Sequence, residues 1–575
     1  MEYHLLPFIG MTSTLWAEYN WMTTILTVFA AFITWRLFKF LDSLKAVSFL
    51  PGLRLPFHPL SFAGAVLPES IWNPGLLFTW NWRHTRNMYR QYGKDTVSVV
   101  PFFLGAPTLY TQSLDVARQV VSAGHRSAVF GKIDSMSAAF LFWGPNIIAA
   151  DREVWRKHRR IMGPAFNNET YSLVWSTSQQ LYADMLAAEG WNSRNTIDVA
   201  SMQTLTFKFS LLIFASCGFG LPFTWIDPPS HGDISVQECV QTIARTNVFA
   251  VTAPWWAWKL PVPWVRRTRR AYDSMRAFMH TQVSERRKAM HEGGRDNGSG
   301  KAKDIFSLLV QASEGKGNEK MALNDDELIG NIFTLMFAGH ETTTQTLAAT
   351  LGFLALHDDV QEEVAAQVKD VAKSHGKEAG GSSQLLKDYS RLDKVLAAYY
   401  EGVRMFPSGL FLLREAKQDT VLTLDGDAGK RIVLPLKRGT QIVVDMVGVQ
   451  YNPKYFTKPD LYLPSRWYGK KGDGDKDLTE AEAFTAFSVG PRACIGSKFA
   501  TTEAVCFLSL LLRDWRVEPL LATVPVTATA DRDGEGLKER KETREEWRDR
   551  VMQATLTLAM GVRDVPLRFT RREIL

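Results

Sequence analysis

Cysteine is scarce in this 575-residue chain, which has four cysteines, and no two of them form a C-x-x-C pair. A secreted disulfide framework needs more cysteines at closer spacing, and structural zinc sites usually contain such pairs. Both classes are therefore excluded, and most of the chain is expected in a reducing compartment. A chain of this length can bury a large core without disulfides.

An excess of one charge is also missing, because 67 Lys and Arg residues stand against 60 Asp and Glu residues, a net charge of +7. The basic residues are mostly interleaved with acidic ones, whereas a nucleic-acid binder concentrates them. The pattern excludes a dedicated nucleic-acid binder and favours a membrane surface or an acidic protein partner. With 46% hydrophobic and 22% charged residues, the whole chain is neither disordered, collagen-like nor a polytopic membrane protein.

One long hydrophobic run, residues 21–41, is present near the start of the chain. As a helix it would extend roughly 31 Å, which matches the hydrocarbon core of a bilayer. A signal peptide is the alternative, but no small-residue cleavage site follows the run. Glu18 precedes it, and basic residues lie near or after its end, namely Arg36, Lys39 and Lys45. The positive-inside rule therefore predicts a single-pass anchor with residues 1–20 in the lumen and the remainder in the cytosol.

The sequence after the anchor predicts a stiff, proline-rich, non-helical hinge at 42–60 and one large domain at 61–575. Apolar residues at spacings of three and four dominate this domain, which predicts a mainly α fold with small β-sheets. The clearest predicted helices are 173–188, 204–214, 271–291, 324–356, 359–373 and 392–405. The predicted strands are 96–100, 420–424, 432–434 and 441–444. The highly charged stretch 531–550 is predicted to be a solvated helix or loop.

Cys494 differs from the other cysteines in its surroundings, the run F-S-V-G-P-R-A-C-I-G at 487–496. A thiolate is a strong axial ligand for haem iron and favours O–O cleavage. Such a ligand needs glycines where the backbone turns beside a flat macrocycle, an arginine that can pair with a propionate, and an aromatic ring that shields the sulfur. The run supplies these as Gly490 and Gly496, Arg492 and Phe487.

This run resembles the haem-binding signature of the cytochromes P450, F-x-x-G-x-R-x-C-x-G, and matches every defined position. The resemblance implies the P450 fold for 61–575 and haem b with Cys494 as the axial iron ligand. The other three cysteines lie in apolar, helix-like surroundings and are interpreted as small buried hydrophobic residues. They are Cys217, Cys239 and Cys506.

The predicted helix 324–356 contains A-G-H-E-T-T at 338–343, which resembles the oxygen-activating segment of the family's central helix. The resemblance implies room for O₂ beside the small residues, and a proton path through Glu341 and Thr342. Taken alone, an E-T-T run is more often a solvated helix face. His340 is interpreted as a lining or packing residue, because this position varies in the family pattern.

Three further patterns resemble family motifs in the family order. Glu401-x-x-Arg404 and the later Arg466 resemble the E-x-x-R and P-x-R motifs, which implies a buried ionic network that supports the haem loop. In isolation, an exposed ion pair would be the simpler interpretation. Trp155 and Arg159 resemble a helix that holds a haem propionate, and Arg414 is a candidate second propionate ligand.

The family resemblance implies an O₂-dependent monooxygenase acting on a bulky hydrophobic substrate at the cytosolic face of the endoplasmic reticulum. No G-x-G-x-x-G sequence stands convincingly between a strand and a helix, so electrons are expected from an NADPH–cytochrome P450 reductase. A reductase-independent haem-thiolate isomerase and a non-enzymatic haem sensor are the alternative classes. Candidate pocket walls are Met136, Phe140, Phe142, Trp143, Phe333, Phe337, Leu410, Phe411, Leu412 and residues 558–560.

Two stretches, 155–168 and 339–344, are similar to a group of basidiomycete fungal P450s. Members of that group oxidise a side-chain methyl of lanostane-type triterpenoids in successive steps, or accept polycyclic aromatic compounds. The triterpenoid or sterol reading is favoured, with broad-specificity oxidation of aromatic or xenobiotic compounds as the alternative. A cluster rich in Trp, Pro and Arg at 255–270 predicts a second membrane contact, with a buried aromatic cluster as the alternative.

Overall fold

The computed structural model describes residues 8–85, 87–126, 129–134, 137, 140–221, 224–226, 230–231, 234–253, 255–293, 304–313, 322–373, 388–426, 430–468, 483–525, 539–556 and 559–573. Its helices are α1 Phe8–Ala46, α2 Phe62–Val66, α3 Phe78–Thr85, α4 Met88–Tyr92, α5 Leu114–Arg126, α6 Arg152–Met162, α7 Asn168–Ala188, α8 Met202–Ile213, α9 Val236–Thr252, α10 Pro263–Gly293, α11 Ile305–Ser313, α12 Asp325–Leu356, α13 Asp358–Lys373, α14 Asp393–Met405, α15 Met446–Gln450, α16 Ser497–Asp514 and α17 Arg544–Val551. Its strands are β1 Gly52–Phe57, β2 Thr96–Leu104, β3 Thr108–Thr111, β4 Phe130–Gly131, β5 Thr196–Val199, β6 Ser230–His231, β7 Ile234–Ser235, β8 Phe411–Ala416, β9 Thr420–Asp425, β10 Arg431–Leu436, β11 Gln441–Asp445, β12 Trp515–Pro519, β13 Thr523–Pro525, β14 Glu539–Lys541, β15 Ala554–Leu556, β16 Met560–Val562 and β17 Leu567–Arg571.

The mainly α fold with small sheets is confirmed, and each of the six predicted helices and four predicted strands corresponds to an element of the structure. The first helix differs from its prediction, because α1 continues to Ala46 without a break. The stretch Trp21–Ala46 within it has a mean hydropathy of 1.6, sufficient in length and composition to cross a membrane. The predicted hinge also differs, since it begins with the end of α1 and contains strand β1.

One compact unit comprises Met1–Val116 and Arg414–Val443. In it, β1 runs parallel to β2, β3 runs antiparallel to β2, and β9 and β10 form an antiparallel pair. The register of β1 shifts between Leu55 and Phe57, around a proline that cannot donate a ladder hydrogen bond. The C-terminal part of α1 packs on β2, where Arg36 donates to the carbonyl oxygen of Phe102.

A second unit comprises Ala117–Leu413 and Val444–Leu575 and contains most of the helices, including α12. α12 is buried along most of its length because apolar and small residues occur on all its sides, as in the core helices of large domains. Its start is fixed by a capping box: the side chain of Asn324 accepts from the amide of Glu327, and the Glu327 carboxylate accepts from the amide of Asn324. α8, α14 and β16 pack against it.

The charged stretch 531–550 ends in α17, which carries its own capping box at Thr543 and Glu546. Trp547 is the buried anchor of this helix, while most of its charged residues are exposed. The predicted solvated helix is therefore present, and residues 531–538 of the stretch lie outside the described residues.

Glu503 on α16 is the basis for a pH prediction. Its side chain is buried, and burial raises its pKa to about 8, although the nearby Ser210 hydroxyl offsets part of the rise. The unfolded chain loses this proton near its ordinary value of 4.5, so the folded state holds one proton more between these limits. The free energy of unfolding should therefore fall by up to about 1.4 kcal/mol per pH unit across this range.

Glu503→Gln removes the titrating group and should flatten this dependence, which urea unfolding at pH 5 and pH 8 measures. The variant should gain stability relative to wild type at the higher pH. The exposed Glu545→Gln serves as the control and should leave the dependence unchanged. Parallel curves for Glu503→Gln and wild type would contradict the prediction.

Candidate active site

Cys494 lies in a tight loop that precedes α16. The amide of Cys494 donates to the carbonyl oxygen of Phe487 at 2.8 Å, and the amide of Ala493 donates to that of Gly490 at 3.0 Å. Gly490 has φ +71°, and a Cβ there would lie 3.0 Å from Val121 Cγ1, so the turn requires glycine on two grounds. The loop thus holds the thiol at a fixed place at the start of α16.

The Cys494 side chain opens into a largely apolar cavity of about 280 Å³ within the second unit. The central helix α12 lines the same cavity with Ala338, Gly339 and Thr342. Cys494 is accessible from this cavity, and desolvation by the surrounding protein raises the pKa of its thiol. The Gly496 amide and the Arg159 guanidinium offset part of that rise. A positively charged metal would keep the thiol deprotonated in this setting.

Gly496 provides a direct test of whether this cavity suits a flat prosthetic group. A Cβ at this position would lie 4.0 Å from Cys494 Sγ and from Phe166, so no protein atom demands glycine here. Gly496 instead borders the cavity, where a Cβ would take up space beside the sulfur. A glycine beside the sulfur, together with the small residues Ala338 and Gly339 of α12 in the same lining, fits a haem ligated by Cys494.

Helix α6 is joined to the Cys494 loop by two arginines. Arg159 donates to the carbonyl oxygen of Ala493 at 3.1 Å. Arg492 donates to the carboxylate of Asp151 and lies 4.7 Å from the centre of the Trp155 ring. Arg492 also lines the cavity. Its partner Asp151 is a residue that the sequence patterns did not identify. The predicted propionate contacts of these residues remain predictions.

Arg414 lies on strand β8 and is buried. It belongs to the unit formed by Met1–Val116 and Arg414–Val443, whereas the cavity lies in the other unit. Its predicted contact with a propionate therefore stays a prediction.

Glu401 and Arg404 on α14 form a buried ionic network. Arg404 donates to both carboxylate oxygens of Glu401, at 3.0 and 2.9 Å, and Arg466 donates to the same carboxylate at 3.1 Å. Trp467 adds a fourth hydrogen bond at 2.9 Å through its indole nitrogen, a role that the sequence patterns did not reveal. Both Glu401 and Arg404 are fully buried, which excludes the exposed-pair alternative.

Breaking this network should destabilise the protein, because Glu401→Gln leaves the buried Arg404 without a counter-charge. The expected loss is about 3 to 5 kcal/mol of unfolding free energy. Glu153→Gln is the matched control, since it removes an exposed pair at the same i, i+3 spacing and should cost less than about 1 kcal/mol. Urea unfolding followed by circular dichroism compares the two. Equal effects would contradict the structural role of the network.

Thr342 and Glu341 are adjacent on α12 but line different cavities. Thr342 lines the cavity of Cys494, and its hydroxyl donates to the carbonyl oxygen of Ala338 at 2.9 Å. Glu341 lines a second, more polar cavity of about 570 Å³. Polar side chains in that lining include Gln203, Gln241, Arg245, Thr344, Gln345, Arg550, Arg563 and Asp564.

His340 is a packing residue. Its Nδ1 lies 2.7 Å from the carbonyl oxygen of Met336, and its ring meets Phe207 and Phe337 edge to face. Burial lowers the pKa of His340, which favours the neutral ring. It is not among the residues that line the Cys494 cavity.

The predicted pocket walls divide into two groups. Phe411 and Leu412 line the cavity, together with residues that the sequence did not single out, such as Leu335, Val403 and Met446. Four predicted aromatic walls instead pack among themselves and with Tyr272 and Trp258, namely Phe142, Trp143, Phe333 and Phe337. These rings therefore pack against other aromatic rings of the protein. The spacing of apolar residues along the chain does not reveal which rings pair in this way. Leu410 is buried, Phe140 is exposed, and Met136 and Leu558 lie outside the described residues.

Comparisons with known proteins identify relatives over most of the chain. A family model described as Cytochrome P450 matches residues 67–539. Cytochrome P450 monooxygenase 124 of Postia placenta is 29% identical over 491 residues, covering 84% of this chain and 89% of the relative. Cytochrome P450 4F12 of Homo sapiens is 27% identical over 419 residues, covering 70% and 74%.

Two further comparisons concern a bacterial relative and a solved structure. Cyclooctat-9-en-7-ol 5-monooxygenase of Streptomyces melanosporofaciens is 27% identical over 402 residues, covering 69% of this chain and 77% of the relative. The crystal structure of the cytochrome P450DA heme domain has a TM-score of 0.64 at 20% identity and covers 91% of this chain and 99% of the solved chain. At this identity the likeness shows the fold.

Proposed function

Because this chain belongs to the cytochrome P450 family and is a monooxygenase of that family, we propose that it oxidises a bulky hydrophobic substrate, most favourably a lanostane-type triterpenoid or sterol. Successive oxidation of a methyl group to alcohol, aldehyde and acid is part of the proposal. The observation that carries it is the accessible Cys494 thiol in a largely apolar cavity that residues of α12 also line. Similarity to a Postia placenta monooxygenase supports the resemblance to fungal P450s on which the substrate class is proposed.

The family's haem would be held by Cys494, with Phe487, Gly490 and Gly496 shaping the loop around the sulfur. When bound, it supplies activation of O₂ and insertion of one oxygen atom into a C–H bond. The contribution of the chain is to orient the thiolate and to keep bulk water from the cavity, whose lining is mostly apolar. Arg492, Arg159 and Trp155 are the proposed propionate partners.

Proton delivery is proposed to cross α12 from one cavity to the other. Glu341 lines the polar cavity, where protons would exchange with solvent, and Thr342, the next residue, lines the apolar cavity. A carboxylate followed by a hydroxyl can pass protons inward without opening the apolar cavity to bulk water. This arrangement argues against a reductase-independent isomerase, which needs no such path.

Substrate contacts are proposed from the apolar lining residues Leu335, Val403, Phe411, Leu412 and Met446. These side chains offer few polar groups, so binding would depend on burial of apolar substrate surface, as a triterpenoid or sterol skeleton provides. Polycyclic aromatic compounds meet the same requirement, and they remain the alternative substrate class.

Membrane anchoring is supported by Trp21–Ala46, and we place the protein in the endoplasmic reticulum membrane as a single-pass protein with a cytosolic catalytic domain. Trp255, Trp256 and Trp264 are exposed, as are four nearby arginines, which suits a headgroup contact. Trp258 instead packs against Tyr272 and Phe249, so the buried-cluster alternative holds for this residue. The proposed electron donor is an NADPH–cytochrome P450 reductase, whose acidic docking surface would suit the net charge of +7.

The first experiment compares wild type with Cys494→Ala in the reduced, carbon monoxide-bound difference spectrum. A thiolate-type Soret band should be present in wild type and lost in the variant, because the axial sulfur is removed. Cys506→Ala, which removes a buried cysteine outside the cavity, should keep the band. An imidazole-type band in haem-loaded wild type would overturn the thiolate assignment. A product screen with NADPH, reductase and lanosterol, alongside polycyclic aromatics, then tests the substrate.

Glu341→Gln tests the proton path while keeping the size of the side chain. Product formation should fall by about 10²- to 10⁴-fold, the usual contribution of a positioned proton donor, while the carbon monoxide spectrum stays unchanged. Asp564→Asn makes the same carboxylate-to-amide change elsewhere in the polar cavity and should have little effect. Equal losses in both variants would contradict a specific role for Glu341.

A further inference from the structure

We propose that Tyr399 is a positioning residue that clamps the turn of α12 carrying Thr342, and that it thereby limits the loss of electrons as hydrogen peroxide. The inference rests on the proposed monooxygenase reaction and on the proton path through Thr342. It is carried by a hydrogen bond between α14 and α12 that none of the family-like sequence motifs contains.

The turn that carries Thr342 is intrinsically weak as a helix. Gly339 and a run of threonines at 342–344 occur in this stretch, and these residue types have low helix propensity. The hydroxyls of Thr342, Thr343 and Thr344 each contact the carbonyl oxygen four residues earlier, at 2.9, 3.0 and 2.8 Å. Such bonds bend helices and compete with the backbone ladder. The geometry of this turn therefore depends on neighbouring elements.

Tyr399 supplies one such support. Its hydroxyl lies 2.9 Å from Thr346 Oγ1, and its side chain is 1% exposed. Thr346 Oγ1 also faces the carbonyl oxygens of Thr342 at 3.0 Å and Thr343 at 3.2 Å. Since the single hydroxyl proton of Thr346 is directed to these carbonyls, Tyr399 is the donor to Thr346. A chain of hydrogen bonds thus runs from α14 to the backbone of Thr342.

The two helices are held at a fixed separation by a close contact one turn further along. A Cβ at Gly402 would lie 2.2 Å from Thr350 Oγ1, so the backbones approach as only glycine permits. α14 is itself fixed by the buried network of Glu401 and Arg404. Tyr399 therefore donates from a rigid helix, which is what a clamp requires.

Tyr399 and Thr346 both line the Cys494 cavity, beside Thr342. If the clamp is removed, the Thr342 hydroxyl is less well placed and water enters the site more easily. Protons then arrive out of position, and O₂ leaves as H₂O₂ after taking up two electrons and two protons, instead of being divided between product and water. The electrons come from the proposed reductase, so the loss appears as more peroxide per NADPH consumed.

Tyr399→Phe is the test variant, and Tyr400→Phe is its matched control. Tyr400 is the next residue on α14, but its ring packs against Phe484 at 5.0 Å and makes no hydrogen bond to α12 within the described part of the chain. Tyr399→Phe should raise the peroxide released per NADPH and speed amide exchange in 342–346 by about 2- to 12-fold, the equivalent of one net hydrogen bond. Tyr400→Phe should change neither quantity.

Thr346→Val removes the other partner and completes a double-mutant cycle. The double variant should release no more peroxide than Thr346→Val alone, because Tyr399 acts through the Thr346 hydroxyl that this variant already lacks. Additive effects, or unchanged peroxide and amide exchange in Tyr399→Phe, would overturn the proposal. Amide exchange needs no electron donor, and repeating the peroxide measurement with a photochemical donor separates failure of the clamp from a wrong choice of reductase.

Discussion

The placement of one thiol constrains most of the catalytic unit. Cys494 must be held at the wall of a largely apolar cavity, where the surrounding protein raises the pKa of its thiol. A loop alone cannot hold such a geometry against its own conformational entropy. Three features hold the loop in place against this entropy: the left-handed turn at Gly490, the arginines that join α6 to the loop, and the ionic network of α14. Each of these supports is polar or strained and is stable only inside the packed fold.

Residues of the central helix line two cavities of different polarity, and the proposed mechanism uses both. An apolar cavity favours substrate burial and strengthens electrostatic interactions, whereas protons must come from a polar, hydrated region. Adjacent residues of a helix point in directions about 100° apart, so Glu341 and Thr342 line different cavities without any break in α12. The threonine-rich turn of α12 is supported by α14 through the hydrogen bond between Tyr399 and Thr346. The ionic network that fixes α14 therefore also supports the part of the cavity wall that contains Thr342.

Local sequence was a good guide where the signal was periodic or chemically rare. The helices, from 173–188 to 392–405, follow from apolar spacing, and the surroundings of Cys494 follow from a motif with few chance matches. Prediction was weaker where partners are distant in the chain. Phe333 and Phe337 have the composition of pocket walls, yet they stack with each other and with Trp143. Arg492 has the motif position of a propionate ligand, and its observed protein partner is Asp151, 341 residues away.

The sequence by itself determined the fold class, the membrane-length helix, the family and which cysteine is proposed as the haem ligand, because these depend on periodicity and on residue types at fixed short spacing. Only the tertiary structure decided which aromatic rings face the cavity, that Glu341 and Thr342 serve different cavities, and that Tyr399 reaches Thr346. These features depend on contacts between segments far apart in the chain. A side chain that suits a cavity wall suits a packed core equally well, and only three-dimensional packing selects between them.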